Sequence, residues 1–151
     1  MNIAMKRLLA VLAIVCAAAF QGQQAPQDEV PAYHKTPPAK GEMLPLIMGQ
    51  KQLVDAGYTA PAQIESYKAA AKYPRVMHQM PCYCHCDRSH GHTSLHACFE
   101  TAHGANCGTC AAEALYVYQM SKKGWSAKMI RDGIIRGDYK NMDLQHPIPV
   151  N

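Results

Sequence analysis

Along the C-terminal third of the chain the apolar positions recur as Ala111, Ala114, Leu115 and Tyr118, spaced to line one face of a helix. That spacing predicts a helix from about Gly108 to Lys122, ended by Gly124. Ser126 then offers an N-cap for a second helix through about Arg136, which buries Met129, Ile130 and Ile134 before Gly137 stops it. The two make a helical hairpin. Upstream, Pro61 suits the first turn of a helix to about Lys72, with Ile64, Tyr67 and Ala71 on one stripe, and Pro74 forces its end. A shorter helix is predicted over 46–56, before Gly57. No stretch alternates as several consecutive strands would, and no internal repeat is present. The pattern therefore predicts an all-α fold: a small helical domain with an irregular Cys/His-rich loop, 80–106, leading into the C-terminal hairpin. A βαβ layout of the thioredoxin kind is disfavoured.

The N-terminal pattern differs. Lys6 and Arg7 precede an unbroken apolar run of 13 residues, Leu8 to Phe20, with Ala17-Ala18-Ala19 near its end. This reads as a Sec-type signal peptide over 1–20, and hence an exported protein, periplasmic or secreted. The run falls short of the roughly 20 apolar residues of a spanning helix, so no transmembrane anchor is expected once the signal is removed. Val15 stands where a small residue precedes a lipidated cysteine, which reads against a lipoprotein anchor at Cys16. Residues 21–42 are rich in Pro, Gln and Lys without apolar periodicity and are expected to form a flexible linker. The folded domain is then 43–145, with a tail at 146–151. At that size the core is modest, and bound metal or disulfides would contribute materially to its stability.

Charge excludes one class of partner. Setting aside Lys6 and Arg7 leaves 13 basic residues against 11 acidic ones, a net charge of +2 with the histidines neutral. No basic footprint for nucleic acid remains.

The chemistry gathers between Cys82 and Cys110, where six cysteines (Cys82, Cys84, Cys86, Cys98, Cys107 and Cys110) and five histidines (His85, His90, His92, His96 and His103) fall. Thiolate and imidazole together suit Zn²⁺ and copper. An oxidising compartment pairs unprotected thiols unless a metal or a reductant holds them. Cys82, Cys84 and Cys86 alternate, so an extended or turning backbone turns them to one side as a chelating set, whereas bridging two of them would close a strained ring. Cys107 and Cys110 lie at the predicted helix start, where free amides and the helix dipole are expected to depress a thiol pKa. That position serves a metal ligand and a redox nucleophile equally.

Three readings follow. In the favoured one, Cys82, Cys84, Cys86, Cys107 and Cys110 hold a Cu or Zn ion or a small cluster, with Cys98 and His103 completing or supporting the site. The role is then carriage, buffering or detoxification, with a metal donor or acceptor protein as partner. In the second, the protein is a thiol–disulfide or peroxide-type oxidoreductase served by a redox partner: Cys107 attacks, Cys110 resolves and the Cys82 triple relays electrons. In the third, the sulfurs are structural staples of an interaction domain, with 15 ways to pair six cysteines. His103 precedes Cys107 by four residues, which brings its imidazole toward the helix-start sulfurs. His90 reads as a solvated turn residue, Met77 and Met80 as packing rather than thioether ligands, and Asp87, Glu100 and Glu113 as surface or helix-start charges. Cys110 is followed by Ala111 and not histidine, which removes the c-type haem signature. No phosphate-cradling glycine loop, nucleophile elbow or paired carboxylates stand out.

The run Pro81-Cys82-Tyr83-Cys84-His85-Cys86, followed by Gly91-His92, Cys98-Phe99, His103, Cys107-Gly108-Thr109-Cys110, Gly124 and Ile130-Arg131, resembles the CYCXC or PCYCGC-motif family of small bacterial exported proteins and lipoproteins. The resemblance spans roughly residues 75–140. It carries no settled activity. Selenoprotein members imply redox chemistry as an alternative to metal binding. His92 stands at a motif position, which makes it the second histidine candidate. His85 replaces the glycine usual between the last two cysteines, either as an added ligand or as a tolerated substitution.

Overall fold

The computed structural model describes residues 29–151. The expected signal peptide, 1–20, and the first part of the linker, 21–28, lie outside them. The described chain is all-α: α1 Gln50–Asp55, α2 Pro61–Lys72, α3 Pro74–Met77, α4 Cys86–His90, α5 Gly108–Lys122 and α6 Ala127–Arg136. Three short 3-10 helices join them, η1 Leu95–Phe99, η2 Ala102–Asn106 and η3 Asp138–Asn141, and no strand occurs among the described residues.

Helix α5 is the centre of the fold. It is buried continuously from Cys110 to Tyr118 and again at Met120, because α2, η2, α6 and η3 pack around it on different sides. The predicted stripe of Ala111, Ala114, Leu115 and Tyr118 is therefore only part of what it buries. Its partner α6 is amphipathic: the Ser126 hydroxyl accepts the Met129 N–H at 3.3 Å as an N-cap, and Gly137 (φ +86°) closes the helix in the left-handed region. Ile130 and Ile134 are fully buried against the core, each worth roughly 1.5–3 kcal/mol of transfer from water. Met129, expected on that face, is 49 % exposed because it sits a step around the helix from the Ile130–Ile134 row.

Helix α2 meets α5 more extensively than any other element. The face it buries is Ser66, Tyr67, Ala69 and Ala70, while Ala71 is exposed and Ile64 only half-buried, which corrects the predicted stripe. Small side chains at Ala69 and Ala70 let the two helices approach, and Tyr67 reaches past them to the cysteine-bearing segment. Tyr73 (φ −126°, ψ 48°) breaks the helix because the residue before a proline is driven out of the helical region, and Pro74 then starts α3.

Three expectations need correction. The first helix starts at Gln50 rather than 46: Gly49 is its N-cap, with its N–H bonded to the Gln52 side chain at 3.0 Å. Ahead of it Met48 donates to the Phe99 carbonyl at 2.9 Å, so this stretch is tied to the cysteine region instead. The 80–106 loop is not irregular throughout, since α4, η1 and η2 lie within it and Leu95 and Phe99 are fully buried. The described part of the linker lies against the body. Ala32 N–H donates to Asp87 at 3.0 Å, His34 stacks on His78 at 3.8 Å, and Arg131 sits over the Tyr33 ring at 4.9 Å. The C-terminal tail is likewise anchored, through Val150 N–H to Glu65 at 2.6 Å and Asn151 N–H to the Tyr118 hydroxyl at 3.2 Å. No helix among the described residues is long and apolar enough to cross a membrane.

Candidate metal centre

Four separate elements deliver the sulfurs to one place. After Pro81 the chain turns tightly, with His85 N–H bonded to the Cys82 carbonyl at 3.0 Å. This turn brings the alternating cysteines together: Cys82 and Cys84 Sγ are 3.0 Å apart, Cys84 and Cys86 Sγ 2.8 Å. Cys86 opens α4, Cys98 comes from η1, and Cys110 from the first turn of α5, its sulfur 3.4 Å from both Cys82 and Cys84. Two imidazoles complete the set. His103 Nε2 is 2.9 Å from Cys86 Sγ, and His92 Nδ1 is 3.2 Å from Cys98 Sγ.

The donor atoms form three groups, each with all its members within 4.8 Å of one another: Cys82, Cys84, Cys98 and Cys110; Cys84, Cys86 and His103; Cys86, His92 and Cys98. Sulfurs at the corners of a zinc tetrahedron stand about 3.8 Å apart, given a metal–sulfur bond of about 2.3 Å. The first group is thus a four-sulfur set of the right size. All six cysteines from Cys82 to Cys110 carry free thiols. Cys82, Cys86, Cys98 and Cys110 are buried, Cys84 and Cys107 partly so. Pro31 and Ala32 from the N-terminal segment wall a small cleft with Cys82, Cys86 and His92, so the described end of the linker covers one side of the site.

Packed thiols do not ionise independently, because each charge raises the cost of the next. The Cys84 thiol is driven down by hydrogen bonds from Cys107, Cys110, Cys82 and Cys98, which makes it the natural seat of the first negative charge. Its neighbours respond in the opposite sense. Cys110 is raised by its contacts with Cys107, Cys82, Cys84 and Cys98 and by burial. Cys86 is raised by burial and by Cys84. For Cys82 the contact with Cys110 pulls down, but Cys84, Cys98 and burial together raise it. The same balance holds at Cys107, where the pull of Cys110 is outweighed by Cys84 and burial. The depression expected for Cys107 and Cys110 from the helix start is therefore overturned. At Cys110 the contacts with Cys107, Cys82, Cys84 and Cys98 and burial all raise the thiol, and at Cys107, against the pull of Cys110, the contact with Cys84 and burial do so.

The predicted residues sort themselves by this geometry. Cys82, Cys84, Cys86, Cys98, Cys110, His103 and His92 all enter the three groups, whereas Cys107 enters none. Met77 and Met80 are fully buried in the core. His90, read as a solvated turn residue, stands against His103 with ring centroids 4.5 Å apart, on the outer side of the cluster. Glu113 was not legible as a site residue. It is fully buried, its Oε1 accepts the Tyr83 N–H at 2.8 Å, and its other oxygen has no partner. Burial pushes its carboxyl up to about 8, against the pull of the Tyr83 N–H and Cys82, so it is largely a neutral acid at pH 7. The one signal for it in the sequence is its place three residues after Cys110, on the same helical face.

His85 has φ +56°, the one non-glycine residue in the left-handed region among those described. It enters none of the three groups, and its half-buried ring leaves Nδ1 without a hydrogen-bond partner. A side chain there costs about 1–2 kcal/mol relative to an unstrained backbone, a cost glycine escapes. His85→Gly is therefore expected to stabilise the metal-free protein by about 1 kcal/mol, part of the gain being offset by the freer unfolded chain, and to leave metal affinity unchanged. Denaturant midpoints and a metal titration of the two proteins check it. A loss of affinity would make the imidazole a ligand after all.

Comparison with curated proteins returns no match, and neither does comparison with solved structures. The family model described as "Protein of unknown function with PCYCGC motif" matches residues 8–149. Its motif places glycine where this chain carries the left-handed His85, and its span covers both the helical body and every residue of the three donor groups. The chain belongs to the PCYCGC-motif family.

Proposed function

We propose that the protein is an exported binder of a soft transition-metal ion, Cu(I) or Zn²⁺, serving its carriage, buffering or detoxification. The observation that carries this reading is the mutual approach of Cys82, Cys84, Cys98 and Cys110 while every cysteine of the segment is unpaired. Thiolate sets of this kind favour Cu(I) and zinc over harder ions. Cysteine residues contributed by a turn, η1 and α5 are brought to one point only by the fold, so binding would also couple to stability. Export follows from the apolar run at Leu8–Phe20 behind Lys6 and Arg7. In this role Cys84 is the principal donor, Cys107 an outlying one, and Glu113 a buried acid supporting the Cys82 turn.

An oxidoreductase centred on Cys107 and Cys110 fits less well. Its attacking thiol would be half-buried and raised in pKa, and its resolving thiol is fully buried among other sulfurs. The test is to purify the protein from an exporting host without reductant or chelator, then measure bound metal by elemental analysis alongside free thiols. Stoichiometric copper or zinc with metal-protected thiols is expected. Metal-free protein holding two or three disulfides, one of them readily reduced, would overturn the proposal in favour of redox work.

A further inference from the structure

The three donor groups are not independent. The first and second share Cys84, the first and third share Cys98, and the second and third share Cys86. Each pair of groups has one sulfur in common, and no sulfur belongs to all three. That is the connectivity of a ring in which three metal ions alternate with three bridging thiolates. The remaining donors then fall out as terminal ligands: Cys82 and Cys110 in the first group, His103 in the second, His92 in the third.

From this connectivity we propose that the site is a trinuclear Cu(I) cluster bridged by the sulfurs of Cys84, Cys86 and Cys98. The inference rests on the metal-binding reading above and deepens it by fixing stoichiometry and metal class. A thiolate sulfur has lone pairs enough to bind two ions, and bridging lets five cysteines and two histidines serve three ions instead of one. The donor count of the outer groups favours Cu(I). The second and third groups offer two sulfurs and one imidazole each, a three-donor set that satisfies Cu(I) by itself, whereas Zn²⁺ would need a water to complete its tetrahedral four. The polarity of the arrangement fits loading from outside. The inner ion would lie among four sulfurs of which three are buried, whereas the two outer ions face His92 and His103, which are half-buried and flanked by exposed His90. Cu(I) binding replaces thiol protons, which leave to solvent, and no electron transfer is involved.

The experiment is anaerobic titration of the full protein with Cu(I) in the presence of a chromophoric Cu(I) chelator, read by native mass spectrometry. Three ions per chain are expected, with the emission of a solvent-shielded Cu(I)–thiolate cluster. Cys86→Ser removes the bridge between the two outer ions and leaves the inner four-sulfur group whole, so its stoichiometry is expected to fall from three to one. His103→Ala, which keeps every sulfur, is expected to yield fewer than three and guards against a folding defect in the first variant. A saturating single ion in the unaltered protein would overturn the cluster while preserving metal binding. No bound ion would overturn both.

Discussion

Replacing Cys84 by serine is expected to weaken metal binding by more than about 100-fold. Cys84 belongs to both the four-sulfur group and the group closed by His103, and it is the sulfur whose pKa the hydrogen bonds of its neighbours lower. A serine hydroxyl at that place is a hard, neutral oxygen on a shorter bond, poorly matched to Cu(I) or zinc. Disturbing a residue that only orients a ligand costs about 10–100-fold in metal affinity, so deleting a ligand shared by two groups should exceed that range. Competition against a chelator of known affinity measures it, with circular dichroism to show that α5 and the hairpin survive. Cys107→Ser is the matched comparison. Cys107 has the same chemistry and lies at the N-cap of α5, but it enters none of the donor groups. Equal losses from the two variants would refute the placement of the centre on the Cys82–Cys86 turn.

Much of this arrangement was written in the sequence, and the rest was not for identifiable reasons. The alternating Cys82, Cys84 and Cys86 announce a chelating set because only a turning backbone can use three thiols so close together. Helices α2, α5 and α6 follow from period and from Pro61, Ser126 and Gly137, signals that act within a few residues. What escaped depends on contacts made at long range. Beyond its place three residues after Cys110, nothing local tells that Glu113 is buried, since a glutamate near a helix start ordinarily faces water. The tie between Met48 and Phe99 is equally invisible, and it keeps 46–49 out of the first helix. The linker resembles a flexible tether by composition, yet its Ala32 N–H finds Asp87 across 55 residues of sequence. Cys107 shows the limit most plainly: its spacing from Cys110 invites pairing with it in function, and only the packing of Cys98 and the Cys82 turn onto α5 shows that Cys110 enters a donor group while Cys107 stays at its edge, beside Cys84.

Gly104→Ala is expected to destabilise the protein by about 2 kcal/mol and to weaken metal binding by about tenfold, although it alters no ligand. Gly104 lies in η2, one residue after His103, and its backbone runs over η1. A methyl group added there would stand 2.9 Å from the Cys98 carbonyl oxygen and 3.1 Å from two carbons of the Phe99 ring. Neither neighbour has room to yield. Phe99 is fully buried with its ring edge-on to Tyr67 at 4.8 Å, and the Tyr67 hydroxyl in turn bonds the Thr101 carbonyl at 2.6 Å and accepts the Ala105 N–H at 3.1 Å. The glycine is needed for close approach, because its φ is not in the left-handed region. Relief of the clash must separate η1 from η2, and that displaces Cys98 from His103, the two donors those turns carry. Denaturant unfolding of the metal-free protein reads the packing cost, and chelator competition reads the second effect. Lost stability with undiminished affinity would mean that the centre tolerates movement between the two turns, and that the spacing of Cys98 and His103 is not what the fold holds in place.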